Sequence, residues 1–328
     1  MLDFLNSAEI IDERNYEYIM KTQVEPYLAK KRRDDFFLSS DNKKIHYEAY
    51  EKVLSRGSIV ILHGFTESAE KFREAAYCFR KAGYSVFSLD LRGHGKSYRD
   101  SEKNERVEID SFDTYAEDLN LFIQKVVKPA TTGEKKINIF SHSLGSTVAL
   151  LYLMKYPYDV SRAVLSSPMI CGNMGMPVAL AGTVAKLLCL LGGKKISAPG
   201  RCVFRSDLSA EESDATSKAR FEYYHKKRIN EPLYQTSGPS FGWVKASLEA
   251  RDRLLNKEFV DMLRAELLIF KPEEDKQLLG EYTEKFADLA DVKIKEVKNS
   301  RHEIFMSGDE TLRWYFGEVL EFFSDIKF

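Results

Sequence analysis

Cysteine is scarce in this chain of 328 residues. There are four in all, no two in a CxxC spacing, so neither a zinc ribbon nor a dithiol redox motif is expected. Cys78, Cys171, Cys189 and Cys202 are read as free thiols of a reducing compartment. An excess of either charge is missing too: 49 basic residues stand against 50 acidic ones. That balance removes the bulk-electrostatic basis for nucleic-acid binding. The N-terminal stretch MLDFLNSAEIIDERNYEYIM carries acids early and lacks the unbroken apolar core of an export signal. A cytoplasmic location is expected, with a peripheral contact at the inner membrane surface left open. The most apolar segment, PVALAGTVAKLLCLL at 177–191, is broken by Lys186 and falls short of the roughly 20 residues a membrane span needs. Mid-chain, it reads as a buried or interfacial helix. HxxxH is absent and no GxGxxG follows a strand, so no metal and no cofactor is implied.

What is present is periodicity of two kinds. Residues of about 7–33 carry Ile10, Ile11, Tyr16, Ile19, Met20, Val24 and Tyr27 at helical spacing, and the charge run KKRRDD at 30–35 is expected to end that helix as a solvated turn. Strand-like pieces follow at 35–38 and 45–50. Then short β-branched runs alternate with amphipathic helices: SIVIL (58–62), SVFSL (85–89), KINIF (136–140) and AVLS (163–166), resuming with ELLIF (266–270) and VKIKEV (292–297). Continuous apolar strands are buried on both faces, and their alternation with helices predicts an α/β protein with a mostly parallel central sheet and helices on both faces. Residues 1–167 and 263–328 form the expected core. The stretch 168–262 breaks the rhythm and is expected to be a helical insertion, or cap, over the carboxyl ends of the strands, where open parallel sheets place their ligands.

The chemistry centres on Ser141-His142-Ser143-Leu144-Gly145. A buried strand running straight into a helix with a serine at the junction has the form of a nucleophile elbow, which lifts the hydroxyl clear of the backbone. The positions two before and two after the nucleophile must be small. Here they are Ser141, where glycine is common, and Gly145. A serine hydroxyl needs a base within hydrogen-bond reach, and with six histidines elimination is practical. His46, His63 and His94 lie upstream, His142 leaves the elbow in another direction, and His225 is in the insertion. His302, in the loop after the last strand, satisfies the order Ser…Asp/Glu…His. The acid that orients it should follow the strand ELLIF, where Glu273, Glu274 and Asp275 stand together. The residue types leave the three open. Two amides should meet the developing oxyanion: that of Leu144, at a helix N-terminus, and that of Phe65, in the loop His63-Gly64-Phe65.

Four stretches, LHGFTES (62–68), LDLRGHGKS (89–97), SHSLGS (141–146) and RHEIF (301–305), together resemble the serine α/β-hydrolases that include monoacylglycerol lipases and bacterial lysophospholipases. FKPEEDKQL (270–278) and SGPSFGWVKAS (237–247) point to the lysophospholipase branch. The resemblance runs from about residue 35 to the end. It implies the α/β-hydrolase fold, Asp275 as the third member of the triad, and a helical cap over 168–262. It also implies a lipid ester, a lysophospholipid or monoacylglycerol, cleaved through an acyl-serine intermediate. Trp243 then either lines the substrate pocket or anchors the cap, and the helix at 177–191 is a candidate for acyl or membrane contact. Rival readings on the same triad are a short-chain carboxylesterase and an acyltransferase; a catalytically silent ligand-binding relative is the non-enzymatic one.

Overall fold

Strands β3 (Ser58–Leu62), β4 (Ser85–Leu89), β6 (Ile137–His142) and β7 (Arg162–Ser166) are buried along their whole length. A strand can be continuously apolar only if helices cover both faces of its sheet. The computed structural model, which describes residues 8–100, 105–133, 135–199 and 203–324, has that arrangement. Ile59 and Ile61 point into one core while Val60 and Leu62 point into the other, the period-two alternation of a strand. One face is covered by α2 (Asp113–Phe122), α3 (Leu144–Lys155) and α7 (Gly280–Ala290). The other packs against α1 (Arg73–Lys81), α8 (Asp309–Phe323) and the N-terminal helical run.

Eight strands form the sheet in the order β1-β2-β4-β3-β6-β7-β9-β10, with β1 (Arg32–Leu38), β2 (Lys44–Tyr50), β9 (Glu266–Pro272) and β10 (Ile294–Val297) completing it. Pairings from β4 through β10 are parallel; β1–β2 and β2–β4 are antiparallel. The register places Leu62 opposite Ser141, His142 opposite Ser166 and Ser166 opposite Phe270. The loops that leave β3, β6, β7 and β9 therefore share one rim.

The N-terminus departs from expectation. The described helical elements run from Glu13 to Ala29 and include a π-helical turn at Met20–Val24; residue 7, the expected start, lies outside the described residues, as does Cys202. The helix does not reach residue 33, and the charge run is not simply a turn. Lys30 and Lys31 turn, and Arg32 already belongs to β1. The charged residues fit there because β1 is an edge strand whose side chains are matched across the pair. Arg32 meets Glu48 at 3.1 Å, Arg33 meets Glu51 at 3.0 Å, and Asp34 meets His46 at 2.8 Å. Charged edges of this kind also block edge-to-edge pairing.

Residues 168–262 join β7 to β9 and hold α4 (Val178–Leu190), α5 (Lys218–Asn230) and α6 (Phe241–Leu254). A two-residue strand β8 (Gly238–Pro239) pairs with β5 (Arg106–Val107). α5 is fastened by Arg220, whose side chain is fully buried and binds Glu74 on α1, Asp309 at the start of α8, and the carbonyls of Ile11 and Ser307. Among the described residues no helix is long and apolar enough to cross a membrane.

Candidate active site

Ser143 stands between the last residue of β6 and the first of α3 with φ 49° and ψ −115°, a strained conformation for a residue with a Cβ. The surroundings impose it. Its N–H donates to Ser166 O at 3.0 Å, and its carbonyl accepts from Ser146 N at 3.0 Å and Met169 N at 3.1 Å. Gly145 lets α3 approach β3: a Cβ there would lie 2.4 Å from Leu62 O and 2.7 Å from His63 O. Ser141, where glycine is common, fits because its hydroxyl donates to Val164 O at 2.8 Å and lies 3.1 Å from Ser146 Oγ.

His302 and Asp275 are brought together. His302 Nδ1 lies 2.8 Å from Asp275 Oδ2, and the other carboxylate oxygen accepts the amides of Gln277 at 2.8 Å and Leu278 at 3.1 Å. Burial alone would raise the Asp275 carboxyl, but His302 and the two amides hold it below its ordinary value. Burial likewise opposes charge on His302, yet the Asp275 carboxylate outweighs it and holds the imidazole above its ordinary value. With an ionised carboxylate facing Nδ1, the neutral ring carries its proton there and leaves the Nε2 lone pair free. The neighbouring acids face elsewhere. Glu273 accepts the Asn299 amide at 2.7 Å, and Glu274 lies 3.9 Å from Arg301.

The His302 loop is tied to the elbow through its backbone. The His302 carbonyl accepts from Ser167 Oγ at 2.7 Å and from His142 Nε2 at 3.1 Å, and the His142 and His302 rings lie 4.8 Å apart. No hydrogen bond joins the Ser143 hydroxyl to His302 among the described residues. Links of this kind are often open in a ligand-free site and tighten with substrate.

The loop after β3 comes up against the same serine. A Cβ on Gly64 would lie 3.1 Å from Ser143 Cβ and 2.7 Å from His142 Nδ1. His63 braces the loop: its Nδ1 donates to Gly64 O at 2.7 Å while its Nε2 accepts the Leu91 amide at 2.9 Å. The amides of Phe65 and Leu144 donate to no backbone acceptor among the described residues. Leu144 N–H opens a helix, where the positive end of the helix dipole favours an anion. Trp243, in the first turn of α6, is buried with its ring 4.6 Å from Phe65 and 5.3 Å from Phe112. It therefore packs the insertion onto the loop that carries the Phe65 amide. Ser143 is 5% exposed and His302 7%, while Asp275 and Phe65 are half-buried. A cleft of about 510 Å³ lies elsewhere, lined by Glu17, Lys21, Arg73 and Lys227 among others.

Sequence reasoning missed Glu67, Lys71 and Ser167 here, and treated His142 only as a histidine to be set aside. Glu67 and Lys71 have a local signal, the i,i+4 spacing of opposite charges, though that spacing ordinarily marks a solvated helix face. Asp214, in the insertion, accepts from Gln277 Nε2 at 2.8 Å, and its carbonyl accepts the Glu303 amide at 3.0 Å. Nothing in its neighbourhood of the chain announces that contact.

Comparison with known proteins gives a consistent picture. A hydrolase family model described as serine aminopeptidase, S33, matches residues 54–309. A probable lysophospholipase L2 of Haemophilus influenzae is 26% identical over 259 residues, covering 79% of this chain and 80% of that one. A monoacylglycerol lipase of Mycolicibacterium smegmatis is 32% identical over 168 residues, 51% of this chain and 55% of that one. Among solved structures, a soluble variant of the monoglyceride lipase of Saccharomyces cerevisiae, in complex with a substrate analog, superposes with a TM-score of 0.70 at 19% identity. The match covers 89% of this chain and 94% of that one. The architecture is the α/β-hydrolase fold.

Proposed function

The chain belongs to the serine aminopeptidase, S33, family of hydrolases, and from that premise we propose that it is an ester-cleaving serine hydrolase with the triad Ser143, His302 and Asp275. The observation that carries this reading is the His302–Asp275 pair, 2.8 Å apart, on the rim where Ser143 is held in a strained turn. Ser143 Oγ attacks the ester carbonyl while His302 Nε2 takes its proton. Asp275 keeps the imidazole in the Nδ1–H tautomer and stabilises its cation. The amides of Phe65 and Leu144 hold the oxyanion. His302 returns the proton to the leaving alcohol, and water then repeats the attack on the acyl-serine.

The substrate is a single-chain lipid ester, a lysophospholipid or a monoacylglycerol. Support comes from the relatives named lysophospholipase L2 and monoacylglycerol lipase. Residues 168–262 act as the cap, with Trp243 anchoring it to the Phe65 loop beside the substrate. On α4 and the turn after it, Leu180, Leu187, Leu190 and Leu191 are exposed beside Lys186, and the lysines that follow, Lys194 and Lys195, are paired with Asp110 and Glu108. An apolar face beside a lysine suits the headgroup boundary of an anionic membrane. We place the enzyme in the cytoplasm, peripheral to the inner membrane surface, in keeping with the free thiols of Cys78, Cys171 and Cys189.

The test is turnover of lysophosphatidylcholine, monoacylglycerol and p-nitrophenyl esters from acetyl to palmitoyl by wild type and Ser143→Ala. Long-chain substrates should be preferred, and the variant should lose roughly 10³-fold or more. Turnover retained in Ser143→Ala, or no labelling of Ser143 by a fluorophosphonate, would overturn the assignment. A preference for acetyl esters would move it to a short-chain carboxylesterase.

A further inference from the structure

Beside the triad lies a second buried polar cluster that the chemistry above does not use. Glu67 Oε2 accepts the Gly64 amide at 2.6 Å and lies 3.0 Å from His142 Nδ1. Glu67 Oε1 meets Lys71 Nζ at 2.8 Å, and Lys71 also pairs with Glu303. The side chains of Glu67, Lys71 and His142 are 3%, 6% and 2% exposed. His142 Nε2 reaches the carbonyl oxygen of His302 at 3.1 Å. The two ring nitrogens of His142 thus bridge the Glu67 carboxylate and the His302 carbonyl. Burial works against the Glu67 carboxylate, but Lys71 and His142 outweigh it and hold the group well below the ordinary carboxyl range. Neither carboxylate of the cluster is left alone: Lys71 pairs with both Glu67 and Glu303, and His142 lies against Glu67. A buried cluster is tolerable on that condition, since an unpaired buried charge costs several kcal/mol.

This geometry does more than neutralise charge. One carboxylate holds Gly64, the residue before the Phe65 amide. Through the His142 ring it also holds the backbone of His302. The two loops that flank Ser143, one bringing the oxyanion donor and the other the base, are thus joined by three hydrogen bonds. We propose that Glu67 and His142 are positioning residues that set the spacing between the Phe65 amide and the His302 imidazole on either side of Ser143. The proposal rests on the hydrolase reading of those three groups. A carboxylate is required because the Gly64 amide, His142 and Lys71 all bring donors to its two oxygens. Glutamine has the same shape but must turn its amide N–H groups toward one of those donors.

The experiment compares wild type, Ser143→Ala, Glu67→Gln and His142→Gln, each checked for folding by urea denaturation, with separate kcat and KM on a p-nitrophenyl ester. Misplacement of catalytic groups by about 1 Å costs on the order of 10²-fold. Glu67→Gln and His142→Gln should therefore lose roughly 10- to 100-fold in kcat with KM within about twofold. A merely structural role would not divide the effect between the two constants in this way. His142→Gln leaves the Lys71–Glu67 and Lys71–Glu303 pairs intact and carries the test should Glu67→Gln not fold. A folded variant with kcat within about twofold of wild type overturns the proposal, as does a change confined to KM. Loss of folding in both variants would assign the cluster to stability alone and overturn it equally. In each of those outcomes a silent Ser143→Ala leaves the hydrolase reading standing; an active Ser143→Ala defeats that reading instead.

Discussion

Replacing Gly145 with alanine tests the elbow more sharply than removing the nucleophile. A methyl at this position would sit 2.4 Å from Leu62 O and 2.7 Å from both His63 O and Leu62 C, all backbone atoms. No side-chain rotation can relieve the contact. Leu62 is held on both sides, by β4 opposite Leu89 and by β6 opposite Ser141. Restoring an ordinary van der Waals separation requires the start of α3 to move off the sheet by about 1 Å, the scale on which misplaced groups cost on the order of 10²-fold in rate. Ser143 and the Leu144 amide move with it, while the Phe65 amide stays with β3. Overpacking of this kind costs about 1–3 kcal/mol in stability, against which alanine returns about 1 kcal/mol in helix propensity over glycine. The net expectation for Gly145→Ala is a stability loss of at most about 2 kcal/mol with a fall in kcat/KM of roughly 10²-fold or more. Urea denaturation and ester hydrolysis measure the two. Ser141→Ala is the control. It loses two hydrogen bonds, to Val164 O and to Ser146 Oγ, each worth about 1 kcal/mol, and should keep its rate. If Gly145→Ala hydrolyses ester as fast as wild type, the close approach of α3 to β3 is not what aligns the site.

Three further outcomes are expected. The acid limb of kcat/KM reports His302, which must be neutral to act as a base. Activity is therefore lost as pH falls through a value above the ordinary histidine one, because Asp275 outweighs burial. In Asp275→Asn the limb should move to lower pH and kcat should drop by on the order of 10⁴-fold through the wrong tautomer; an unmoved limb would remove Asp275 from the triad. Arg220→Met leaves Glu74 buried without its cation and should cost about 3–5 kcal/mol in urea denaturation, whereas an unchanged midpoint would show that Arg220 does not hold α5 to the core. Leu190→Glu with Leu191→Glu should weaken cosedimentation with phosphatidylglycerol vesicles by roughly 10-fold or more, since one buried leucine is worth about 1.5–3 kcal/mol. Hydrolysis of a soluble ester should be untouched, and equal vesicle binding would take the membrane away from α4.

The inner strands are legible because their burial is two-sided. SIVIL, SVFSL, KINIF and AVLS have no solvent face to dilute the apolar signal, and the helices between them force parallel crossovers. At the edge that logic fails. In β1 only Phe37 is buried, so RRDDFFL has almost no hydrophobic pattern to read. Its strand character comes from a partner, β2, and from ion pairs such as Arg33–Glu51 that local sequence does not reveal. The helical rhythm before it therefore extends in the sequence four residues past Ala29, where the helix ends.

The site divides along the same line. Ser143 is readable because its requirements are local: a strand, a tight turn, small residues on either side and a helix. His302 is readable because few histidines compete for a place at the sheet rim. Asp275 cannot be told from Glu273 and Glu274 by chemistry, since what separates them is the direction in which one turn throws each carboxylate. The turn has a local mark: Asp275 Oδ1 accepts the amides two and three residues on, a pattern open to a short aspartate side chain. Glu67 has only its i,i+4 pair with Lys71, which ordinarily marks a solvated face, and His142 and Arg220 have no local mark, since the partners that decide their burial lie far away in the chain. Glu67 reaches His142 across 75 positions, His142 reaches His302 across 160, and Arg220 reaches Glu74 across 146. A charged residue in an amphipathic helix is read as solvent-facing because that is the commoner fate. Buried charges here gather instead where segments distant in sequence meet, as Glu67 and Lys71 do against His142 and Glu303, because partners from several segments can be supplied there without exposing the groups to water. Burial of a charge therefore marks a junction, and in this fold the junction between the oxyanion loop and the base loop is also the place where the chemistry must be aligned.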